Sequence, residues 1–202
     1  MKSKDQNTEQ AIMNAAVEIF QSKGMAGARM QEIADKAGIN KALLHYYFRN
    51  KQMLFEAVFK SALGQLAPEI SKIFNADLSI EEKITAFVSY YIPFVNQNRF
   101  LPVFVIQELN NNPVFAEQFF SANALPKTEK FRYQLIEASK IGEIRNVDPD
   151  QFVLDLFAVV VFPFVGRPLM KNLLQKDDQG FDDLIQGRIE HVTTMLLNSI
   201  KK

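Results

Sequence analysis

The sequence predicts an all-α fold. Apolar residues recur every three or four positions along most of the chain, no stretch alternates apolar and polar in the manner of a strand, and no segment repeats. Glycine, proline and Asx residues break the pattern at intervals suited to separate helices.

Taken in order, a first helix is expected over residues 8–23, with Thr8 as its N-cap and Gly24 as its stop; Ile12, Ala16, Ile19 and Phe20 form its apolar face. A short helix over 30–37 ends at Gly38, and another covers 41–47. A long fourth helix opens near Lys51 and carries Met53, Leu54, Ala57, Val58, Ala62 and Leu66, until Pro68 bends or ends it. Ile80, Ile84, Phe87, Val88 and Tyr91 stripe the next helix, which Pro93 should kink. A short apolar helix over 101–109 has Pro102 in its first turn, and a loop covers 110–113. Residues 127–141 form a helix stopped by Gly142, and Asp148-Pro149 opens an apolar helix reaching about Met170. After a solvated loop at 176–180, the last helix places Phe181, Leu184, Ile185, Ile189, Val192, Leu196 and Ile200 on one side. The reading divides the chain into a three-helix head, 1–50, and a larger helical region, 51–202. The two regions meet inside the long fourth helix, with no flexible linker between them.

Composition narrows the function. Of the 202 residues, 48% are hydrophobic and 23% charged, enough to bury a sizeable interior and too apolar for a disordered chain. The net charge is zero but unevenly spread: residues 1–60 hold nine Lys/Arg against six Asp/Glu, and the remainder fourteen against seventeen. This fits a mildly basic module that meets phosphate joined to an acidic one that does not, and it fits chance scatter as well. The absence of cysteine excludes disulfides, thiolate chemistry and cysteine-ligated zinc, and suits a reducing, cytoplasmic setting. The polar opening residues predict no secretory signal. The longest apolar run, 156–165, is well short of the ~20 residues of a membrane span, so no membrane partner is expected. An enzyme is not expected either. His45 and His191 are the only histidines, and there is no Gly-x-Ser-x-Gly elbow and no phosphate-cradling glycine loop. The pairs Glu81-Glu82, Asp177-Asp178 and Asp182-Asp183 lie at helix starts or in a loop, where they suit the helix dipole. No cofactor or metal is implied.

The informative segment is 29–48. Two short helices crossing steeply need a small residue at their closest approach, which Ala34 supplies, and a turn residue tolerant of positive φ, which Gly38 supplies. Ile33, Ala37, Ile39, Leu44 and Tyr47 take the inward positions, and Asn40 can cap the second helix. Asn40, Lys41, Ala42, Leu43, His45 and Tyr46 are then left for a DNA major groove. Arg29, Tyr47 and Lys51 are placed to hold phosphates, because a tyrosine hydroxyl, a lysine and a helix N-terminus together make a clamp.

This stretch, with the preceding helix and Gly24, resembles the TetR/AcrR family of bacterial transcriptional regulators over roughly residues 8–59. The family pattern reads approximately apolar-Ser-Lys-Gly-Thr-Leu-Tyr-His-Tyr-Phe, then a short turn and a lysine. Here it stands as Ile39-Asn40-Lys41-Ala42-Leu43-Leu44-His45-Tyr46-Tyr47-Phe48, with Lys51 in register. Two departures stand out. Ala28-Arg29 replaces the hydroxyl residue that often opens the second helix, and Leu43 replaces a small or polar residue. Leu43 either touches a thymine methyl or packs.

The resemblance implies a ligand-binding and dimerisation domain after the head, and a repressor released from palindromic double-stranded DNA by a small, largely apolar effector. Its pocket would draw on Phe87, Tyr90, Tyr91, Phe94, Phe104, Gln107, Glu108, Phe119 and Phe162, with Asn96 and Arg99 as further polar candidates. Aromatic residues at this spacing are equally those of plain core packing. The last two helices are broader in apolar surface than one partner covers, which suits a homodimer closed by a four-helix bundle, as in the family. A helical binding module for apolar ligands with a vestigial head is the alternative function.

Overall fold

The computed structural model describes residues 2–114, 117–118 and 125–202, and every regular element among them is a helix. They are α1 Lys2–Gly27, α2 Met30–Lys36, α3 Lys41–Tyr47, α4 Lys51–Asn75, α5 Ile80–Gln97 and α6 Phe100–Asn111, followed by α7 Glu129–Lys140, α8 Pro149–Val165, α9 Arg167–Leu173 and α10 Asp178–Ile200.

Two apolar clusters organise them. The head cluster joins α1, α2, α3, the first half of α4 and the start of α6. Its centre is aromatic. Phe55 meets Phe20 at 4.6 Å and Phe104 at 4.2 Å between ring centres, and Phe104 meets Phe59 at 4.9 Å, all edge to face. The body cluster takes the second half of α4 with α5, α7, α8 and α10, and stacks Phe74 between Phe87 at 5.2 Å and Phe131 at 5.0 Å. Leu63 and Phe94 pack against both clusters, so α4 leaves one core and enters the other without a break.

Several boundaries differ from the sequence expectation. The helix α1 starts at Lys2, so Thr8 lies inside it rather than capping it; Asp5 in the first turn suits the helix dipole. Gly24 does interrupt the helix, at φ 66°. Pro68 does not end its helix, since α4 continues to Asn75, and α5 likewise runs through Pro93 to Gln97. The buried stripe Leu66, Ala67, Ile70 and Phe74 continues across Pro68, and burial on that scale outweighs one missing backbone donor. The apolar helix expected to reach Met170 breaks at Gly166, with α9 turned 80° from α8. Pro168, in the first turn of α9, has no N–H to continue the ladder. The last helix begins at Asp178, because the Asp177 carboxylate caps it by accepting from the Gly180 N–H at 2.8 Å. Among the described residues, no single helix is long and apolar enough to cross a membrane.

Pro163 inside α8 has a specific compensation. Its missing N–H leaves the Val159 carbonyl without its partner in the helix. The guanidinium of Arg188, reaching over from α10, donates to that carbonyl through Nη2 at 2.6 Å. A second polar tie fixes the corner between α5 and α6. Arg99 lies 3.0 Å from the Asp182 carboxylate of α10, which Arg167 also engages at 2.7 Å, and the Arg167 guanidinium sits 4.9 Å above the Phe181 ring.

Candidate nucleic-acid interface

The geometry of 29–48 follows from a few residues. Ala34 and Ile33 of α2 are buried, and Gly38 turns the chain at φ 70°. The Asn40 side chain accepts from the Leu43 N–H at 2.8 Å and so opens α3. Leu44 is the fully buried anchor of α3. Lys41, Ala42, Leu43, His45 and Tyr46 are exposed, Tyr46 by 80%. The next helix is started the same way, with Asn50 accepting from the Met53 N–H at 2.8 Å. Ion pairs of Lys23 with Glu32 at 2.9 Å and Lys36 with Glu18 at 2.6 Å hold α2 against α1. The Lys23 ammonium keeps the Glu32 carboxyl below the usual carboxylate range.

The three residues assigned to phosphates differ in their surroundings. Arg29 is exposed at the start of α2 and provides no side-chain cap, as its departure from the family pattern implies. The Lys51 ammonium donates to the carbonyls of Ala28 at 3.0 Å and Ala26 at 3.3 Å, tying α4 to the turn before α2. An ammonium has three protons, so one remains for a phosphate. The Tyr47 hydroxyl donates its one proton to the Asp5 carboxylate at 3.1 Å, and that bond must break before the hydroxyl can donate to a phosphate. Partial burial and that carboxylate push the hydroxyl above the ordinary tyrosine value. The sequence pattern did not reveal Asp5 as a partner, because it depends on α1 beginning six positions or so upstream of the expected cap. His45 has a further fixed contact, with Nδ1 3.0 Å from the Arg49 carbonyl oxygen.

The residues proposed to line a pocket do not gather in one place. Phe87 and Tyr91 are buried in the body beside Phe157, at 5.1 and 6.2 Å between ring centres. Burial pushes the Tyr91 hydroxyl far above the ordinary tyrosine range. Tyr90 and Phe94 stack on each other at 6.2 Å at the margin of the same cluster. Phe104, however, belongs to the head core, and Phe162 is 49% exposed on the outer side of α8. Their helical spacing could not say which cluster each would join. Gln107 is exposed, Glu108 lies in α6, and Phe119 is outside the described residues. Arg99 is engaged by Asp182, and Asn96 Oδ1 is buried without a hydrogen-bond partner. Asp182, which the sequence assigned to a helix-start pair, thus has a tertiary role that only the packing of α9 and α10 reveals.

A short, capped helix projecting exposed basic, apolar and imidazole side chains from a helix-turn-helix is the arrangement of a DNA-binding head. The family model for the bacterial regulatory proteins of the tetR family matches residues 12–58. The probable HTH-type transcriptional regulator YttP of Bacillus subtilis (strain 168) is 27% identical over 177 residues, covering 83% of this chain and 82% of that protein. Among solved structures, a TetR/AcrR transcriptional regulator from Thermobifida fusca is similar with a TM-score of 0.65 at 21% identity, covering 96% of this chain and 98% of the other. The fatty acid degradation regulator FadR from Bacillus halodurans is similar with a TM-score of 0.62 at 19% identity, covering 94% of both chains. The amino-terminal head thus matches the tetR-family model, and the whole chain shares the helical fold of the TetR/AcrR regulators.

Proposed function

We propose that this regulator is a homodimeric repressor that occupies a palindromic operator and is released by a small, largely apolar effector. The observation that carries the proposal is the exposed face of α3. Its residues Lys41, Ala42, Leu43, His45 and Tyr46 take no part in the head core, while Arg29, Tyr47 and Lys51 flank them. We assign the first set, with Asn40, to the major groove and the second to phosphates. Residues 1–50 act as the DNA-binding head and 51–202 as the effector and dimer region, working in the cytoplasm where the chromosome lies.

The dimer is supported by apolar surface that one chain leaves uncovered. Leu154, 61% exposed, and Phe162 lie on the outer side of α8, with Leu184 and Met195 exposed on α10. Pairing these two helices with a second copy would cover them. The effector's apolar character is supported by the aromatic cluster of the body around Phe87, Tyr91 and Phe157. An effector favouring a conformer with differently spaced recognition helices lowers DNA affinity by the ratio of its affinities for the two states.

Selection of bound DNA from a random pool, using the full chain, tests this. The expected result is an enriched palindrome whose half-sites lie ~34–36 Å apart or a multiple of that distance. No enriched sequence, with apolar ligands still bound, would favour the carrier reading with a vestigial head.

A further inference from the structure

The recognition face is short of hydrogen-bond acceptors. Lys41 carries only donors, and Ala42 and Leu43 present no polar side-chain atom. The Oδ1 of Asn40 already accepts from the Leu43 N–H at 2.8 Å. That bond holds the amide oxygen against the start of α3 and uses one of its two lone pairs, so the NH2 group is the freer end of Asn40. Tyr46 has a hydroxyl able to play either role.

His45 differs from these. Its Nδ1 lies 3.0 Å from the Arg49 carbonyl oxygen. A carbonyl can only accept, so Nδ1 carries the proton. In the neutral ring Nε2 is then a bare acceptor, and the two nitrogens of an imidazole point in widely divergent directions. With Nδ1 turned back onto the backbone following α3, Nε2 is directed away from that contact, on a residue that is exposed.

We infer that His45 reads the exocyclic amino group of an adenine or a cytosine in the major groove, accepting a hydrogen bond from it at Nε2. These two amino groups are the only base-edge donors in that groove, N6 of adenine and N4 of cytosine. The inference rests on the DNA-binding reading above and adds to it the chemical group that one side chain recognises. The Arg49 carbonyl is the positioning element, because it fixes the tautomer as well as the ring orientation.

Every base pair contains one such amino group, so base preference alone cannot test the assignment, and the amino group itself must be removed. The operator is first selected with the wild-type chain at pH 8. Adenines in each half-site are then replaced singly by the unsubstituted purine nucleoside, and cytosines by the pyrimidin-2-one nucleoside, and binding is measured for wild type and His45→Ala. The expected result is one position per half-site where loss of the amino group weakens the wild type about two- to tenfold and leaves His45→Ala unaffected, the range of one hydrogen bond. His45→Gln, which keeps a side-chain acceptor, retains part of that sensitivity. The inference is overturned if no position is amino-sensitive in the wild type alone. It is equally overturned if the His45-dependent loss follows 7-deaza substitution of a purine, since His45 would then be donating to N7. Failure of the wild type to enrich any operator would overturn the DNA-binding reading itself, before an analogue is used.

Discussion

Replacing Arg188 by methionine removes the donor that satisfies the Val159 carbonyl beside Pro163. The contact is short, at 2.6 Å, and its donor is charged. Leaving such a carbonyl unpaired costs about 1–3 kcal/mol. Part of this is offset, because burial works against the arginine's charge and Arg188 Nε is itself buried without a partner. The net loss expected for Arg188→Met is therefore about 1–2 kcal/mol. Pro163→Ala supplies the control. Alanine restores an N–H at the position that normally donates to Val159, so in that background the arginine becomes less necessary. The cost of Arg188→Met should shrink there by about 1 kcal/mol. Urea unfolding at one fixed protein concentration reads both effects as shifts of the midpoint at constant slope. If the two substitutions add within about 0.3 kcal/mol, the carbonyl is not what couples them and the reasoning fails.

Three further outcomes follow from individual contacts. Tyr47→Phe should weaken binding about two- to tenfold on every DNA sequence alike, whereas Lys51→Ala should also lower the slope of log affinity against log salt by about one; anisotropy titrations at several salt concentrations separate the two, and a loss confined to one sequence would contradict the phosphate assignment. Asp182→Asn should cost about 1–2 kcal/mol of stability, since it weakens the hold of α10 on both Arg99 and Arg167. Burial raises the Asp182 carboxyl, but Arg167 and Arg99 outweigh it and keep it below its ordinary value of 3.8. Its stabilisation is thus present above that pH and lost as pH falls through the folded-state value, so the variant should show a flatter acid limb in pH-dependent melting. Lys83 is 1% exposed and donates to Gln134 Oε1 at 2.8 Å; burial, then the nearby Lys130 ammonium, lowers its amine from 10.5. The unfolded chain binds that proton more readily, so stability should climb with pH just below 10.5, and Lys83→Met should abolish the climb without loss at pH 7.

The head was more legible in the sequence than the body, for a physical reason. Gly38 and Asn40 act within one turn of their own positions, and local chemistry dictates where α2 ends and α3 begins. Helical spacing also identified Phe87 and Tyr91 as inward. Spacing does not say which of two cores an aromatic residue enters, and so Phe104 was assigned to the body although it completes the head. Proline meets the same limit. Its local cost is fixed, while the compensation at Pro163 comes from Arg188 on another helix, and long-range partners of that sort have no spacing to betray them. Arg99 and Asp182 lie far apart in the chain and illustrate the same limit.

The placement of Phe100 and Phe104 inside the head has a consequence for how the protein is made and dissected. Both residues are synthesised well after the helices they fill, so the amino-terminal module cannot complete its interior while it alone has left the ribosome. A fragment ending at residue 50 would lack Leu54, Phe55, Phe59, Phe100 and Phe104 together, and with them most of the aromatic centre that Phe20 packs against. Amide protons of α1 should accordingly exchange on the same timescale as those of α6, as one cooperative unit, although far apart in the chain.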